Sequence, residues 1–160
     1  MQTSPVNTTS LKTIHDLETP SVLIDLDIME RNIATMQQKC DALGIEFRPH
    51  IKTHKIPAIA RLQVNAGAVG LACQKVSEAE VFARGGIKDV LVSIQVRDPA
   101  KLDRLARLPK LGARVLVCVD DLANVAERVN AAVRAGQTPS EDLLKRGLTI
   151  AYNNDLYEDA

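Results

Sequence analysis

The chain has 160 residues, 46% of them hydrophobic, and its 20 basic residues balance its 20 acidic ones. This composition suffices for one sizeable core and shows no bias towards nucleic acid or an anionic membrane surface. No apolar run approaches the roughly 18 residues of a membrane-spanning helix, and residues 1–17 do not form a basic and then apolar leader. We therefore expect a cytoplasmic protein with a flexible arm at 1–17 and no nucleic-acid or membrane partner.

Short runs rich in β-branched residues alternate with helical patterns along the chain. The predicted strands lie at 45–51, 68–73, 89–94 and 113–119, with a weak last one at 148–152. Strands and helices that alternate at this spacing indicate parallel βαβ units. The fold class is therefore α/β. Four or five units are visible, whereas a closed (β/α)8 barrel needs eight and about 250 residues, so the chain looks like part of a TIM barrel.

Helix start and stop signals separate these strands. The predicted starts are Asp27 with Glu30, Ser77 with Glu80, Asp98 before Pro99, and Asp121. The first two pair a capping side chain with a carboxylate three residues later, and proline suits the first helical position. Gly85 with Gly86, and Gly136, are the predicted stops. The apolar stripes between these signals indicate core packing.

Segment 48–55 carries the residues with the most chemistry. Apolar and polar residues alternate from position 45 onward, which predicts that Arg48, His50 and Lys52 share the face that covering helices leave open. Pro49 cannot donate a ladder hydrogen bond, so it indicates a strand end or a bulge. Lys52 would then end a strand, where α/β enzymes keep their active sites.

Two interpretations of these lysines and histidines follow from the residues alone. A lysine partly removed from water beside other cations, here Arg48 and Lys55, becomes a nucleophile that forms Schiff bases with aldehydes. Alternatively, Lys52 and Lys55 are solvated loop residues, and His50 and His54 are hydrogen-bonded structural groups. No short catalytic motif matches the segment, so both interpretations stay open at this point.

Metal binding is not predicted. Cys40, Cys73 and Cys118 lie far apart without a Cys-x-x-Cys pair, which is typical of reduced core residues and suits a cytoplasmic protein. His50 and His54 are four residues apart, but on a strand-to-loop segment they would not share a helical face as zinc-binding pairs do.

Three blocks resemble one enzyme family: TPSVLIDLD at 19–27, RPHIKTHK at 48–55 and GLACQKVSEAE at 70–80. They are similar to the D-threonine aldolase and D-serine dehydratase-like family, whose fold is that of the alanine racemase amino-terminal domain. Residues 78–92 and 99–109 most resemble its 3-hydroxy-D-aspartate aldolase branch. The resemblance covers residues 19 to about 130. It implies an incomplete barrel whose first strand, 21–26, pairs in relatives with a separate β domain.

The resemblance also implies a cofactor and a reaction. Lys52, the first lysine of Pro-His-x-Lys-x-His-Lys, would carry pyridoxal 5'-phosphate, with Gln74 and Arg48 as further cofactor-binding residues; Gln74 fits a strand-end cap equally well. Lys52, His50 and His54 would be catalytic, because histidine suits proton transfer near neutral pH. The substrate would be a small β-hydroxy D-amino acid such as D-threonine or 3-hydroxy-D-aspartate, cleaved to glycine and an aldehyde.

The organisation implied is an arm at 1–17, a partial barrel at 18–136 and a divergent tail at 137–160. In the family, later strands supply much of the phosphate cradle and, in metal-dependent members, ligands for a divalent ion, and none of these has a matching position here. The alternative is a truncated, non-catalytic relative or a pyridoxal phosphate-binding protein without turnover. Dehydratase or racemase chemistry and a homodimer that covers the barrel interior also stay open.

Overall fold

A computed structural model describes residues 13–138. The helices are α1 (Leu26–Ala42), α2 (Pro57–Asn65), α3 (Val76–Arg84), α4 (Pro99–Leu105) and α5 (Leu122–Arg134), with short 3-10 helices at Ile14–Asp16 and Leu108–Leu111. The strands are β1 (Leu71–Cys73), β2 (Asp89–Val92) and β3 (Arg114–Val117), which form one parallel sheet in that order. This arrangement confirms the α/β class. Most of the arm and the tail, and the strand predicted at 148–152, lie outside the described residues.

The predicted strand at 45–51 is present only as an irregular edge. His50 forms an isolated parallel bridge with Ala72. On either side of it, Ala72 N–H donates to the Pro49 carbonyl at 2.8 Å, and Ile51 N–H donates to the Ala72 carbonyl at 2.9 Å. Pro49 has no N–H to continue the ladder. The expectation of a regular strand over 45–51 is therefore wrong, whereas the strand end or bulge predicted at Pro49 agrees with the structure.

One face of the sheet packs against helices and forms the core. Leu71, Cys73, Val90 and Val92 are fully buried in it, and Phe82 of α3 packs among them. Their alternation along the strands is the period of two that places every second side chain on the same face.

The other face of the sheet is more open. Leu91 and Leu116 pair across β2 and β3 on this face, and each is only half-buried. His50, which bridges Ala72 of β1, lies on the same side, so this face differs from the apolar core in carrying a polar side chain.

Two predicted helix starts are wrong by two residues. The N-cap of α1 is Asp25, whose carboxylate accepts the Ile28 N–H at 2.9 Å, and α1 begins at Leu26. In α3, Glu78 has the position predicted for Glu80, and its carboxylate accepts the Gln74 and Lys75 N–H groups. In both helices the residue used lies two positions before the predicted one, Asp25 before Asp27 and Glu78 before Glu80.

The remaining helix signals are confirmed. Asp98 caps α4 by accepting the Lys101 N–H at 2.8 Å, and Asp121 caps α5 by accepting the Asn124 N–H at 2.6 Å. Helix α3 ends at Gly85 and Gly86, and Gly136 follows α5 with a φ of 77°.

The strand that the resemblance implies at 21–26 does not form within the described part of the chain. Residues 21–25 belong to no helix or strand, and α1 begins at Leu26. Val22 is 96% exposed, and Leu23 and Ile24 are also exposed. None of the helices in residues 13–138 is both long and apolar enough to cross a membrane.

Candidate active site at the carboxyl edge of the sheet

The parallel register places the residues of the open face in rows that run across the strands. The middle row contains His50, Ala72, Leu91 and Leu116, which pair in succession. The next row follows the strand ends and contains Gln74 after β1, Ser93 after β2 and Cys118 after β3; we call these three residues the carboxyl row. Ser93 N–H donates to the Cys73 carbonyl at 2.9 Å and Cys118 N–H to the Val92 carbonyl at 3.1 Å, which extends the register to this row.

Arg48 lies at the opposite, amino end of the sheet. Its Nη1 is 2.6 Å from Asp89 Oδ1, and Arg114 Nη1 is 3.0 Å from the other oxygen of the same carboxylate. Gly70 makes room for this cluster, because a Cβ there would overlap Arg48 Nη1 and lie 2.6 Å from the Asp89 carbonyl oxygen. The structure does not bring Arg48 to the carboxyl row, so the cofactor-binding role predicted for it stays a prediction that this geometry does not favour.

Both ring nitrogens of His50 are engaged. Nε2 lies 3.1 Å from Ser93 Oγ, and Ser93 Oγ donates to the Cys73 carbonyl at 3.1 Å. Nδ1 accepts the backbone N–H of Lys52 at 3.2 Å. His50 therefore connects the carboxyl row to the backbone of the predicted nucleophile.

Lys52 carries an exposed side chain at this edge, within a turn that follows the His50 bridge. The two other cations, Arg48 and Lys55, are each paired with a carboxylate. Arg48 pairs with Asp89, and Lys55 Nζ lies 3.1 Å from Glu78 Oε1. Within residues 13–138, no carboxylate pairs with the Lys52 amine. Segment 48–55 thus presents one amine that is available to a ligand, while its other cations are held by the fold.

Glu78 fixes the turn to helix α3. Its side chain is 8% exposed, and its Oε2 accepts the backbone N–H groups of Gln74 at 2.8 Å and Lys75 at 3.3 Å. Burial acts to raise the pKa of the Glu78 carboxyl, but these N–H groups and the Lys55 ammonium outweigh burial, so the pKa lies below its ordinary value. The carboxylate is therefore charged near neutral pH and holds Lys55, whose φ of 53° is unusual for a residue other than glycine.

His54 faces helix α2 rather than the carboxyl row. Its Nδ1 accepts the Ile56 N–H at 3.0 Å, and its buried Nε2 has the Gln63 side chain as a neighbour without a hydrogen bond of ordinary geometry among the described residues. Burial lowers the pKa of His54 more than Gln63 raises it. The ring is therefore neutral near pH 7, and its predicted catalytic role stays untested.

Gln74 and Ser93 complete the edge near Lys52. Gln74 is half-buried, and its side-chain amide makes no hydrogen bond among the described residues, so it can donate to or accept from a ligand. Ser93 is not singled out by any sequence pattern. The signal that could have found it is positional, because Ser93 follows β2 as Gln74 follows β1, and parallel strands end at the same edge.

Residues 13–138 contain no group of three or more His, Cys, Asp or Glu side chains that could hold a metal ion. The cysteines are free, with Cys40 and Cys73 buried and Cys118 half-buried. Burial, with a smaller effect of the nearby Glu78 carboxylate, raises the pKa of the Cys73 thiol to about 12. Cys73 is thus an unreactive core residue, as the sequence predicts.

A cavity near this edge lies on the helix side, between the start of α3 and α4. It encloses about 380 Å³ and is lined by Lys75, Lys101, Arg97 and Arg104, among other residues. Arg97 pairs with Asp121 at 2.5 Å and with Glu127 at 3.1 Å, and Arg104 pairs with Glu80. Carboxylates therefore pair with both guanidinium groups that line this cavity.

The parallel β/α arrangement, with a free amine at the carboxyl edge, defines the class of α/β proteins that bind ligands beyond their strand ends. Residues 24–146 match the family model described as "Alanine racemase, N-terminal domain". The chain belongs to this family, which confirms both the resemblance and the predicted fold.

Curated relatives carry lyase names. The chain is 55% identical over 122 residues to the 3-hydroxy-D-aspartate aldolase of Paracoccus denitrificans, covering 76% of this chain and 32% of that protein. It is 43% identical over 120 residues to the D-threonine aldolase of an Arthrobacter species, covering 75% and 31%. The chain therefore spans about a third of the length of the relatives it matches.

Two solved structures of enzymes with similar names also resemble this chain. The D-threonine aldolase from Filomicrobium marinum superposes with a TM-score of 0.75 at 46% identity, covering 78% of this chain and 34% of that one. The D-threo-3-hydroxyaspartate dehydratase from Delftia sp. HT23 gives a TM-score of 0.70 at 37% identity, covering 76% and 32%. The described fold is thus that of one part of these larger enzymes.

Proposed function

We propose that this chain carries the cofactor-binding lysine of a pyridoxal phosphate-dependent lyase that cleaves β-hydroxy D-amino acids, such as D-threonine or 3-hydroxy-D-aspartate, to glycine and an aldehyde. One observation carries the proposal: at the carboxyl edge, Lys52 presents an exposed amine, whereas its neighbours Arg48 and Lys55 are held by carboxylates. The names of the related aldolases and dehydratases support the choice of substrate class.

The donor set at this edge suits pyridoxal phosphate. The cofactor needs an accessible amine for its aldehyde, which Lys52 offers, and polar groups near its ring, which Gln74 offers. When bound, it would supply an electron sink for a substrate carbanion.

This chain's own residues prepare the site in three ways. His50 accepts the Lys52 backbone N–H, Ser93 hydrogen-bonds to His50, and the Lys55 and Glu78 pair fixes the turn that carries Lys52. The proton transfer predicted for His50 and His54 is not assigned here, because both nitrogens of His50 are engaged and His54 faces α2.

A second candidate function is cofactor binding without turnover. The observation that favours it is that, among the described residues, β3 has a strand partner only on the β2 side. The homodimer, the cytoplasmic location and the division into 1–17, 18–136 and 137–160 likewise stay proposals. We assign no step to the divalent metal that the resemblance implies for full-length relatives.

The test compares the wild type with Lys52→Ala and with a matched control, Lys110→Ala, which removes an exposed lysine far along the chain. Each protein receives pyridoxal phosphate, and visible absorption is recorded before and after borohydride reduction. A band that Lys52→Ala abolishes and Lys110→Ala preserves supports the cofactor site. A band equal in all three proteins would overturn it.

Glycine release from D-threonine or 3-hydroxy-D-aspartate then separates the two functions. Release that depends on Lys52 supports the lyase. A Lys52-dependent band without glycine release supports cofactor binding without turnover.

A further inference from the structure

The carbonyl of Cys73, the hydroxyl of Ser93, the ring of His50 and the backbone N–H of Lys52 form one continuous hydrogen-bonded chain, with distances of 3.1, 3.1 and 3.2 Å. We propose that Ser93 is a positioning residue: it fixes the tautomer of His50, so that His50 holds the backbone of Lys52 in place rather than acting as a general base. The inference deepens the proposed function and rests on it for the importance of Lys52.

Counting protons assigns the tautomer. A serine hydroxyl has one proton, and Ser93 gives it to the Cys73 carbonyl, which can only accept. Ser93 Oγ must therefore accept from His50 Nε2, which carries the proton of the neutral ring. Nδ1 is then the bare nitrogen, and its partner is indeed a donor, the Lys52 N–H.

The opposite tautomer would lose two hydrogen bonds of this chain. A proton on Nδ1 would face the Lys52 N–H, and Ser93 could donate to the bare Nε2 only by turning its hydroxyl away from the Cys73 carbonyl. Ser93 thus favours the proton on Nε2, because only in that tautomer does its hydroxyl keep the bond to the Cys73 carbonyl, and the Lys52 N–H requires the same tautomer.

His54 supports a structural role for His50 by repeating its pattern. Each histidine uses Nδ1 to accept the N–H of the residue two positions later, Lys52 at 3.2 Å and Ile56 at 3.0 Å. Between them, Lys55 N–H donates to the Ile51 carbonyl at 2.9 Å. The two histidines therefore hold the start and the end of the turn that presents Lys52.

Ring-nitrogen NMR on histidine-labelled protein tests the tautomer directly. The chain has three histidines, and the variants His15→Gln and His54→Asn assign the spectrum. We expect His50 in the wild type to carry its proton on Nε2. A His50 ring with the proton on Nδ1 would overturn the inference without any further variant.

Substitution of Ser93 tests its influence on Lys52. Loss of one hydrogen bond in the chain should raise the exchange rate of the Lys52 amide by about three- to tenfold in Ser93→Ala, with a measurable population of the other tautomer. Ser93→Thr keeps a hydroxyl, so its Lys52 amide exchange rate and its His50 tautomer should match those of the wild type. Ser77→Ala, an exposed serine on α3, is the matched control and should leave both unchanged.

Two substitutions of His50 separate holding from proton transfer. His50→Asn places an amide oxygen where Nδ1 lies, so it should retain Lys52 amide protection and most of the rate of Lys52 labelling by pyridoxal phosphate. His50→Gln reaches towards Ser93 instead and should lose the protection. Equal loss of protection in Asn and Gln variants, or a Ser93→Ala protein identical to the wild type, would contradict the proposal.

The exchange and NMR readouts need no cofactor. They can therefore show the expected tautomer and amide protection in a protein whose Lys52 does not react with pyridoxal phosphate. That result would contradict the proposed function but not the positioning role of Ser93.

Discussion

The Lys55 ammonium lies 3.1 Å from the carboxylate of Glu78, which is buried at the start of α3.

 The Glu78 side chain is 8% exposed, whereas that of Lys55 is 54% exposed. The pair joins the turn that carries Lys52 to helix α3, so the helix and the candidate site depend on the same carboxylate.

Glu78→Gln should therefore destabilise the protein. The substitution removes the charge that faces Lys55 and weakens the bonds to the Gln74 and Lys75 N–H groups, which should cost about 1–3 kcal/mol. Urea unfolding measures the loss. Glu80→Gln, on the same helix but in a surface pair with Arg104, is the control and should cost less than about 1 kcal/mol. Equal losses in the two variants would contradict this role of Glu78.

Gly70→Ala should weaken the amino end of the sheet. The added methyl group would overlap Arg48 Nη1 and the Asp89 backbone, and relief of that overlap should cost about 1–3 kcal/mol. Thermal unfolding checks the value. Gly85→Ala is the control, because its Cβ would lie 3.3 Å or more from its neighbours at an ordinary φ of −72°. A Gly70→Ala protein as stable as Gly85→Ala would show that the Arg48 cluster can move.

Stability should fall as the pH drops through the titration of His54. In the folded state, burial lowers the pKa of His54 below its ordinary value of 6.5. Below about pH 6.5 the unfolded chain therefore binds more protons than the folded one. The free energy of unfolding should therefore decrease from pH 6.5 down to the folded pKa and be insensitive to this group above pH 6.5.

His54→Asn isolates that contribution, because asparagine can still accept the Ile56 N–H but does not titrate. The variant should have a flatter stability profile between pH 7.5 and 5 than the wild type. His15→Asn, at an exposed position, should retain the wild-type slope. If His54→Asn leaves the pH dependence of the free energy of unfolding unchanged, His54 is not the group that causes the loss of stability at low pH.

Thiol alkylation should distinguish the cysteines. Cys73 is buried and its pKa is raised to about 12, so almost no thiolate is present at pH 8. Cys118 is half-buried and should react first with iodoacetamide, as followed by peptide mass spectrometry. Faster modification of Cys73 than of Cys118 in the folded protein would contradict the described core.

The sequence predicts the α/β class because the strand and helix periods differ clearly, and it predicts the starts of α4 and α5 from Asp98 and Asp121, which cap these helices. It misplaces the starts of α1 and α3 because Asp25 and Glu78 lie two residues before the predicted Asp27 and Glu80, and spacing alone does not choose between them. The prediction of a regular strand over 45–51 is wrong for a different reason. The alternation of apolar and polar residues does not show how far the hydrogen-bonded ladder extends around Pro49.

The candidate site is predictable only in part. Position alone places Lys52 and Gln74 at the carboxyl edge, where the structure has them. The partners of Arg48 and His50 are not predictable, because Asp89 and Ser93 lie 41 and 43 residues away in the sequence and meet them only through the sheet register.

Site-resolved labelling tests the central claim most directly. The wild-type protein is treated with limiting pyridoxal phosphate, reduced with borohydride and digested, and the adduct on each lysine is quantified by mass spectrometry. We predict that Lys52 carries most of the adduct and that Lys55, which is paired with Glu78, carries little. An even distribution over exposed lysines, or more adduct on Lys55 than on Lys52, would contradict the account.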